Sequence, residues 1–525
     1  MKKLFLVSLV FATLALLGAA LIWPPVLWAF VLLGPVLLIG IHDLTQTRHT
    51  ILRNYPIIGH MRYLLEDARH HIRQYLIQGD QEGDPFTRPE RAVVYQRAKK
   101  ESDVQPFGTL LDTGAVGYEW FEHSIRSREP KQDEVRVKVG GPSCTQPYDA
   151  SHLNISAMSF GSLGSHAIEA LNAGAKQGGF AHNTGEGGIS RYHLEPGGDL
   201  IWQIGTGYFG ARAPDGRFDP EQYAQRSVHE SVRMIELKLS QGAKPGGGGI
   251  LPGMKVTADI ARARGVPEGK TVHSPASHSA FETPLEMMAF LGQLRELCGG
   301  KPVGFKLCVG KRREFMALLK AMHASGIVPD FITIDGSEGG TGAAPRELTD
   351  HVGLPLRDGL VFAHNALVGA GLRDQVRVIA SGKIINGFDV AAKIAMGADI
   401  CSSARGMMFA LGCIQARRCQ ANTCPTGIAT QDPWRMNGLV VADKIPRVTN
   451  FHAGTIKHFL KVLAACGMED ARELAPHLLY RRVSATQVSH YAELYDYLAP
   501  GSLLDGGGGP GYQTYWDDAR PESFA

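Results

Sequence analysis

VGFKLC (303–308), FITID (331–335), VRVIAS (376–381) and DICSS (399–403) succeed one another with longer stretches of helical spacing between them. Each is a short β-branched or apolar run, and such runs alternating with helical segments are the signature of repeated βα units. Upstream, the same alternation starts at NISAMS (154–159) and continues through FAHN (180–183), VRMIELKL (232–239) and TVHS (271–274). Together these give eight candidate strands, the number that closes a parallel (β/α)8 TIM barrel, so the expected fold class is α/β. A doubly wound open sheet uses the same alternation. No G-x-G-x-x-G opens a βαβ unit, however, so a separate dinucleotide-binding domain is not expected.

In a parallel barrel the site gathers at the carboxyl ends of the strands, with phosphate held after strands seven and eight. There the chain reads Ser381-Gly382-Lys383 and Ser402-Ser403-Ala404-Arg405-Gly406. Small residues expose main-chain N–H groups and Arg405 adds positive charge, which together predict a phosphate cradle. Glycine is in excess, 62 of 525 residues, and it clusters at 185–188, 246–249 and 339–342. A main chain without side chains lets a ligand approach closely, so the clusters predict a site lined by backbone.

A formal net charge of +3 is too near neutral to argue for a nucleic-acid partner, and none is expected. The run from Leu4 to Trp23 is almost unbroken in its hydrophobicity, and after Pro24-Pro25 a second apolar run continues from Val26 to Ile41. Each is about the length needed to cross the hydrocarbon of a bilayer. Lys2 and Lys3 precede the first run while Arg48 and Arg53 follow the second, so both flanks are cytoplasmic by the positive-inside rule. The expectation is a two-helix transmembrane hairpin in the cell inner (plasma) membrane, with the catalytic part facing the cytoplasm. A cleaved signal peptide and a re-entrant hairpin are the competing accounts.

Of the eight cysteines, three crowd into GCIQARRCQANTCP (412–425). A secreted disulfide framework would be denser in a much shorter chain, so a reducing compartment with a metal site is the better reading. Thiolates are soft anionic ligands suited to iron, and Cys413, Cys419 and Cys424 with Pro425 after the last have the pattern of a cluster-binding loop. Zinc would want a fourth ligand, for which His452 is the nearest downstream histidine.

This spacing, followed by PTGIATQ (425–431), resembles the [3Fe-4S] loop of the FMN-containing synthase domain of glutamate synthase. The resemblance extends through SAMSFG (156–161), GEGG (185–188), GAKPG (242–246), LPG (251–253), DG (335–336) with GGTGA (339–343), and SGK (381–383). It implies that FMN lies against Ala157, Met158 and Ser159, with Asn183, Lys306, Asp335 and Gly336 beneath it. Its phosphate would reach Ser381, Gly382, Lys383, Ala404 and Arg405. A cation such as Lys306 near the flavin ring would stabilise its anionic reduced form. The resemblance further places Glu186 and Lys244 in the substrate pocket, Arg264 as the clamp of an oxo acid, and Ser274 close by. Arg262, two residues away, competes with Arg264 for that role. The implied organisation is a transmembrane hairpin (1–42), a mixed helical and loop segment packed on the barrel (43–146), the FMN-binding barrel with its [3Fe-4S] loop (147–440), and a C-terminal helical extension (441–525).

The implied reaction is reductive amination of 2-oxoglutarate, or another 2-oxo acid, through a 2-imino acid with hydride from FMN. The family's KPGEGGQLPG is here KPGGGGILPG, with Gly247 for the glutamate and Ile250 for the glutamine, which weakens the case for 2-oxoglutarate itself. The family's amino-terminal glutaminase is not seen ahead of the apolar runs, so ammonia is expected from elsewhere. Electrons are expected from ferredoxin, a separate reductase or the quinone pool. Two alternatives stay open: an amine or amino-acid dehydrogenase feeding electrons to a membrane partner, and a non-catalytic redox-sensing electron-transfer subunit.

Overall fold

The computed structural model describes residues 2–130 and 136–525. The chain divides into two compact units, Met1–Thr87 and Arg88–Ala525. In the first, the two apolar runs form the helices Lys2–Ala20 and Ala29–Thr45, joined by a tight turn over Pro24–Trp28. The paired prolines lack the N–H groups that would continue a helix, so they sit at the start of that turn. Both segments are long and apolar enough to cross a membrane, each with a mean hydropathy of 2.1. Just past the second apolar run, Asp43 is fully buried and accepts hydrogen bonds from the Ile57 amide (2.8 Å) and His60 Nε2 (2.9 Å). Those bonds fasten the helix end to the segment that follows.

The second unit is built on a closed barrel of eight parallel strands. They are β1 (Leu153–Ile155), β2 (His182–Asn183), β3 (Leu200–Ile204), β4 (Val232–Lys238), β5 (Val303–Leu307), β6 (Phe331–Asp335), β7 (Arg377–Ser381) and β8 (Ile400–Ser403). The ring closes where Cys401, Ser402 and Ser403 of β8 pair with Leu153, Asn154 and Ile155 of β1.

The barrel count agrees with the sequence reading, but its membership does not. TVHS (271–274) is outside the barrel: Val272–His273 pairs antiparallel with Ile250–Leu251, forming a small hairpin in the long connection between β4 and β5. The strand that takes its place in the count is Leu200–Ile204, and VRMIELKL is therefore the fourth strand rather than the third. Leu200–Ile204 escapes pattern reading because only two short helical turns, Gly185–Gly187 and Arg191–Leu194, separate it from β2. A βα unit without a full helix does not look like one in sequence.

Side chains alternate across a strand, so every second residue enters the barrel. At the amino-terminal end the inward layer is apolar: Ala181, Ile201, Met234, Phe331, Ile379 and Ile400 form one buried cluster. Val139, Tyr148 and Ala150 join it from an antiparallel hairpin, Arg136–Val139 with Tyr148–Ser151, which spans the boundary expected at residue 146. Each fully buried large apolar side chain contributes roughly 1.5–3 kcal/mol. Two residues further along each strand the layer turns polar, to Asn183, Gln203, Glu236, Thr333, Ser381 and Ser402, all buried. Another step brings Lys238 and Asp335 to the carboxyl-terminal mouth.

The surrounding helices start and stop on local chemistry. Thr283 caps Pro284–Leu297 through a reciprocal bond with Glu286, and Asn386 caps Gly387–Ala395 with Asp389 in the same way. The 25-residue helix Val441–Ala465 packs on Ser165–Gly178 and on Arg88–Lys99. Arg357, Arg481 and Tyr491 converge on the carboxylate of Glu119 and tie the C-terminal strands to a helix that follows β6.

Candidate active site

The polar layer is organised by Glu236, which accepts hydrogen bonds from Asn183 Nδ2 (2.8 Å), Gln203 Nε2 (2.6 Å) and Thr333 Oγ1 (2.6 Å). Asn183 is thereby held with its own Oδ1 accepting from the Gly185 amide at 3.0 Å. Above this layer Lys306 Nζ lies 3.3 Å from Asp335 Oδ2, and both residues are buried. The same Asp335 oxygen accepts from the Gly242 amide at 2.8 Å, which draws the loop after β4 across the end of β6. A Cβ on Gly242 would stand 1.7 Å from the Gly336 carbonyl oxygen, so only glycine permits that approach.

Glu186 sits at the centre of the mouth. Its Oε2 is 3.1 Å from Lys238 Nζ, with side chains only 17% and 11% exposed. Burial would raise the Glu186 carboxyl, but Lys238, Arg264 and Lys244 outweigh it and hold the carboxyl below its ordinary value. Burial pushes Lys244 down from the usual lysine range, against the pull of Glu186. One carboxylate thus faces three cations. A small cleft opens beside it, lined among others by Glu186, Thr206, Lys238, Gln241, Gly247 and Pro275. A Cβ on Gly249 would meet Glu186 Oε1 at 2.7 Å, so the glycine run closes directly over the carboxylate.

Arg262 and Arg264 part company here. Arg262 is 75% exposed and pairs with Asp259. Arg264 is buried, donates from Nη2 to the Phe160 carbonyl (3.0 Å) and lies over the Phe209 ring. Its Nε has no hydrogen-bond partner among the described residues, and burial pushes its pKa down to about 10. Ser274 ends the inserted hairpin rather than a barrel strand, and its amide bonds the Gly249 carbonyl at 2.8 Å. Ile250 is half-exposed and does not line the cavity, whereas Gly247 does.

Sequence reading missed four residues of this set: Gln203, Glu236, Lys238 and Thr333. Period-two spacing along VRMIELKL places Glu236 and Lys238 on one face, and that was the available signal. A second layer behind Lys238 was also missed. His278 Nε2 bonds the Lys238 carbonyl (2.8 Å) and Nδ1 faces the Tyr208 hydroxyl (3.1 Å). Burial pushes His278 down to about 4, so the ring is neutral and holds one fixed tautomer: Nε2 donates to the carbonyl and Nδ1 accepts from the phenol.

The expected cofactor residues border the same mouth. Ala157, Met158 and Ser159 follow β1, and Gly185 approaches so closely that a Cβ there would lie 2.6 Å from the Ser159 amide nitrogen. Ser381 Oγ bonds Ser156 Oγ at 3.1 Å, tying β7 to β1. Gly382 and Lys383 have positive φ, and Ala404 leads into the helix Arg405–Leu411. Arg405 donates to the Glu338 carbonyl at 2.7 Å. This polar, backbone-lined crescent with a buried lysine suits a flavin phosphate and ring.

Cys413, Cys419 and Cys424 lie on one loop after that helix. Cys413 Sγ accepts from the Gln415 amide (3.4 Å) and Cys424 Sγ lies 3.4 Å from Thr426 Oγ1. Burial would raise the Cys424 thiol, but Thr426 and the amides of Thr426, Ile428 and Ala429 hold it below its ordinary value, so its thiolate is stabilised. Gln415, Arg417 and Asn422 adopt left-handed backbone, which turns the loop back on itself. Among the described residues, no group of three or more His, Cys, Asp or Glu side chains is gathered closely enough to hold a single metal ion. A multi-iron cluster asks for less convergence, since each thiolate takes a different iron, and three thiols on one loop, Cys424 buried and Cys413 and Cys419 partly exposed, fit that demand. His452 commits its Nε2 to Ser151 and Leu153 and stacks on Phe180, so it is not placed as a fourth zinc ligand.

A closed parallel barrel whose mouth holds one carboxylate among three buried cations is the frame of a barrel enzyme. Residues 130–469 match the conserved region in glutamate synthase. The glutamate synthase large subunit-like protein YerD of Bacillus subtilis (strain 168) is 38% identical over 517 residues, covering 90% of this chain and 96% of that protein. An archaeal glutamate synthase (NADPH) of Methanocaldococcus jannaschii is 32% identical over 358 residues, covering 68% of this chain and 66% of that protein. An archaeal-type glutamate synthase (NADPH) of Thermotoga neapolitana is 34% identical over 320 residues, 60% of each. The chain belongs to the glutamate synthase family and is an oxidoreductase.

Proposed function

We propose that this protein is a flavin- and iron–sulfur-dependent oxidoreductase that reductively aminates a 2-oxo acid, 2-oxoglutarate giving glutamate. The observation that carries it is the enclosure of Glu186 by Lys238, Lys244 and Arg264 beside the Lys306–Asp335 pair. FMN, when bound, supplies hydride transfer and the cluster supplies single electrons. Ala157, Met158, Ser159, Asn183, Lys306, Asp335 and Gly336 would hold the ring; Ser381, Gly382, Lys383, Ala404 and Arg405 would hold the phosphate; and Cys413, Cys419 and Cys424 would hold iron.

The chain's own part is charge and proton handling. Lys244 and Arg264 bind the carboxylates of a dianionic oxo acid and orient its carbonyl carbon. Glu186, kept ionised, takes a proton from the attacking amine nitrogen and returns it to the departing hydroxyl as the imine forms. Lys238 fixes that carboxylate, and the Gly247–Gly249 run keeps water from it. Ser274 sits at the rim of the same run. Exposure of Ile250 removes one objection to 2-oxoglutarate, since the side chain there does not face the cavity; Gly247 leaves room where the family carries glutamate.

The test is anaerobic reduction of the purified protein followed by 2-oxoglutarate with ammonia. Flavin reoxidation with glutamate appearing supports the proposal, and no response to a panel of oxo acids or amines points to the redox-sensing reading. The two bare apolar helices favour one second reading: a membrane-anchored protein, cytoplasmic in its catalytic part, running as an amine dehydrogenase that passes electrons to a membrane acceptor such as the quinone pool. In the synthetic direction the donor is a ferredoxin-like protein or a separate reductase.

A further inference from the structure

Lys255 stands apart from the catalytic set. It ends the turn Gly253–Lys255 that follows Leu251-Pro252, and it is 3% exposed. Its Nζ donates to the carbonyl oxygens of Cys419 (2.8 Å) and Ala429 (3.1 Å). An ammonium buried among carbonyl dipoles is strongly unfavourable without a nearby counter-charge. Neutral thiols do not supply one; thiolates bound to an anionic iron–sulfur group do.

Position adds a second argument. Lys255 continues from the hairpin strand Ile250–Leu251, whose neighbouring Gly249 closes over Glu186. From the other end of the cysteine loop, Gln431 Nε2 donates to the carbonyls of Gly161 (3.2 Å) and Leu163 (2.9 Å), just beyond Ser159. The cysteine loop is therefore pinned on one side to the substrate wall and on the other to the segment that follows β1.

We propose that Lys255 is the fixed counter-charge of the cysteine loop: its ammonium holds the Cys419–Ala429 backbone against the inserted hairpin and raises the reduction potential of the cluster bound there. This rests on the reading of Cys413, Cys419 and Cys424 as an iron–sulfur site. Reduction adds one electron to the cluster, so a neighbouring cation favours the reduced form. Lys255 is a positioning residue and touches no substrate.

The test uses the full-length protein purified without oxygen as wild type, Lys255→Arg and Lys255→Gln. Glutamine keeps a donor for the carbonyls and removes the charge; arginine keeps the charge. Iron, acid-labile sulfide and flavin are quantified, and the cluster's midpoint potential is read by EPR-monitored potentiometry. Lys255→Gln is expected to shift the one-electron equilibrium about tenfold toward the oxidised cluster, a midpoint lower by about 59 mV, with Lys255→Arg near wild type. Equal potentials in the two variants overturn the proposal while leaving the cluster reading intact. Wild-type protein lacking iron and sulfide overturns both. If Lys255→Gln retains flavin but no iron while Lys255→Arg retains both, the charge role is supported. Loss of iron and flavin from both variants overturns it and makes the side chain a packing element.

Discussion

Replacing Lys238 by methionine removes the closest cation from Glu186 while keeping a side chain of similar length. At 3.1 Å the pair attracts by about 5 kcal/mol with an effective dielectric of about 20. Desolvation of both groups and their remaining contact with water reduce the net value. Deleting one partner of a buried pair costs about 3–5 kcal/mol, and with 11% and 17% of the two side chains still exposed the lower end applies. Lys238→Met should therefore lose about 3 kcal/mol of stability at pH 7, read as a lower urea midpoint.

The pH dependence should change with it. In the wild type the folded-state value of Glu186 is depressed, so its contribution to stability is complete above the unfolded carboxyl pKa and is lost as pH falls through the folded value. Without Lys238, burial acts with less opposition and the carboxyl protonates at higher pH. The acid limb of substrate-dependent flavin reoxidation, followed by stopped flow, should move toward neutrality, and Lys238→Arg should restore most of it. An unchanged acid limb together with an unchanged urea midpoint would refute the role given to this pair.

Other expectations are simpler. Cys419→Ser should bleach the visible absorbance of the cluster while leaving flavin, and unchanged iron content would remove Cys419 from the ligand set. Lys244→Ala should slow substrate-dependent flavin reoxidation far more than it weakens flavin binding; equal rates in variant and wild type would take Lys244 out of the pocket. Glu236→Gln forces an amide N–H₂ among three donors, so it should cost about 1–3 kcal/mol by urea denaturation, with no effect expected if Asn183, Gln203 and Thr333 bond elsewhere. Burial pushes His182 and His452 down to about 3, and His278 and His364 down to about 4. Below about pH 6.5 the unfolded chain binds protons that these folded rings refuse, so stability should fall with pH, by about 2 kcal/mol for each ring at pH 5. Both ring nitrogens of His182 lack partners among the described residues, so His182→Leu should stabilise the protein and flatten that acid slope in urea titrations.

The sequence by itself determined the parts of this protein that are written locally. Short β-branched or apolar runs separated by helical spacing gave a parallel barrel; a proline pair between two uninterrupted apolar runs gave the two N-terminal helices; and three thiols on one short loop gave a candidate iron site. Each rests on contacts between residues near in the chain, where composition and spacing carry the physics.

Tertiary structure alone decided which strand was third: Leu200–Ile204 pairs in parallel with β2 and β4 inside the barrel, whereas Val272–His273 pairs antiparallel with Ile250–Leu251 outside it. It also separated Arg264 from Arg262, turned Ile250 away from the cavity, and brought Lys238 against Glu186 and Lys255 against the cysteine loop. Those outcomes depend on barrel register and on a hairpin inserted between β4 and β5, which bring together groups from distant parts of the chain. Charge meets charge across such distances only after the strands have closed, so no local pattern records it.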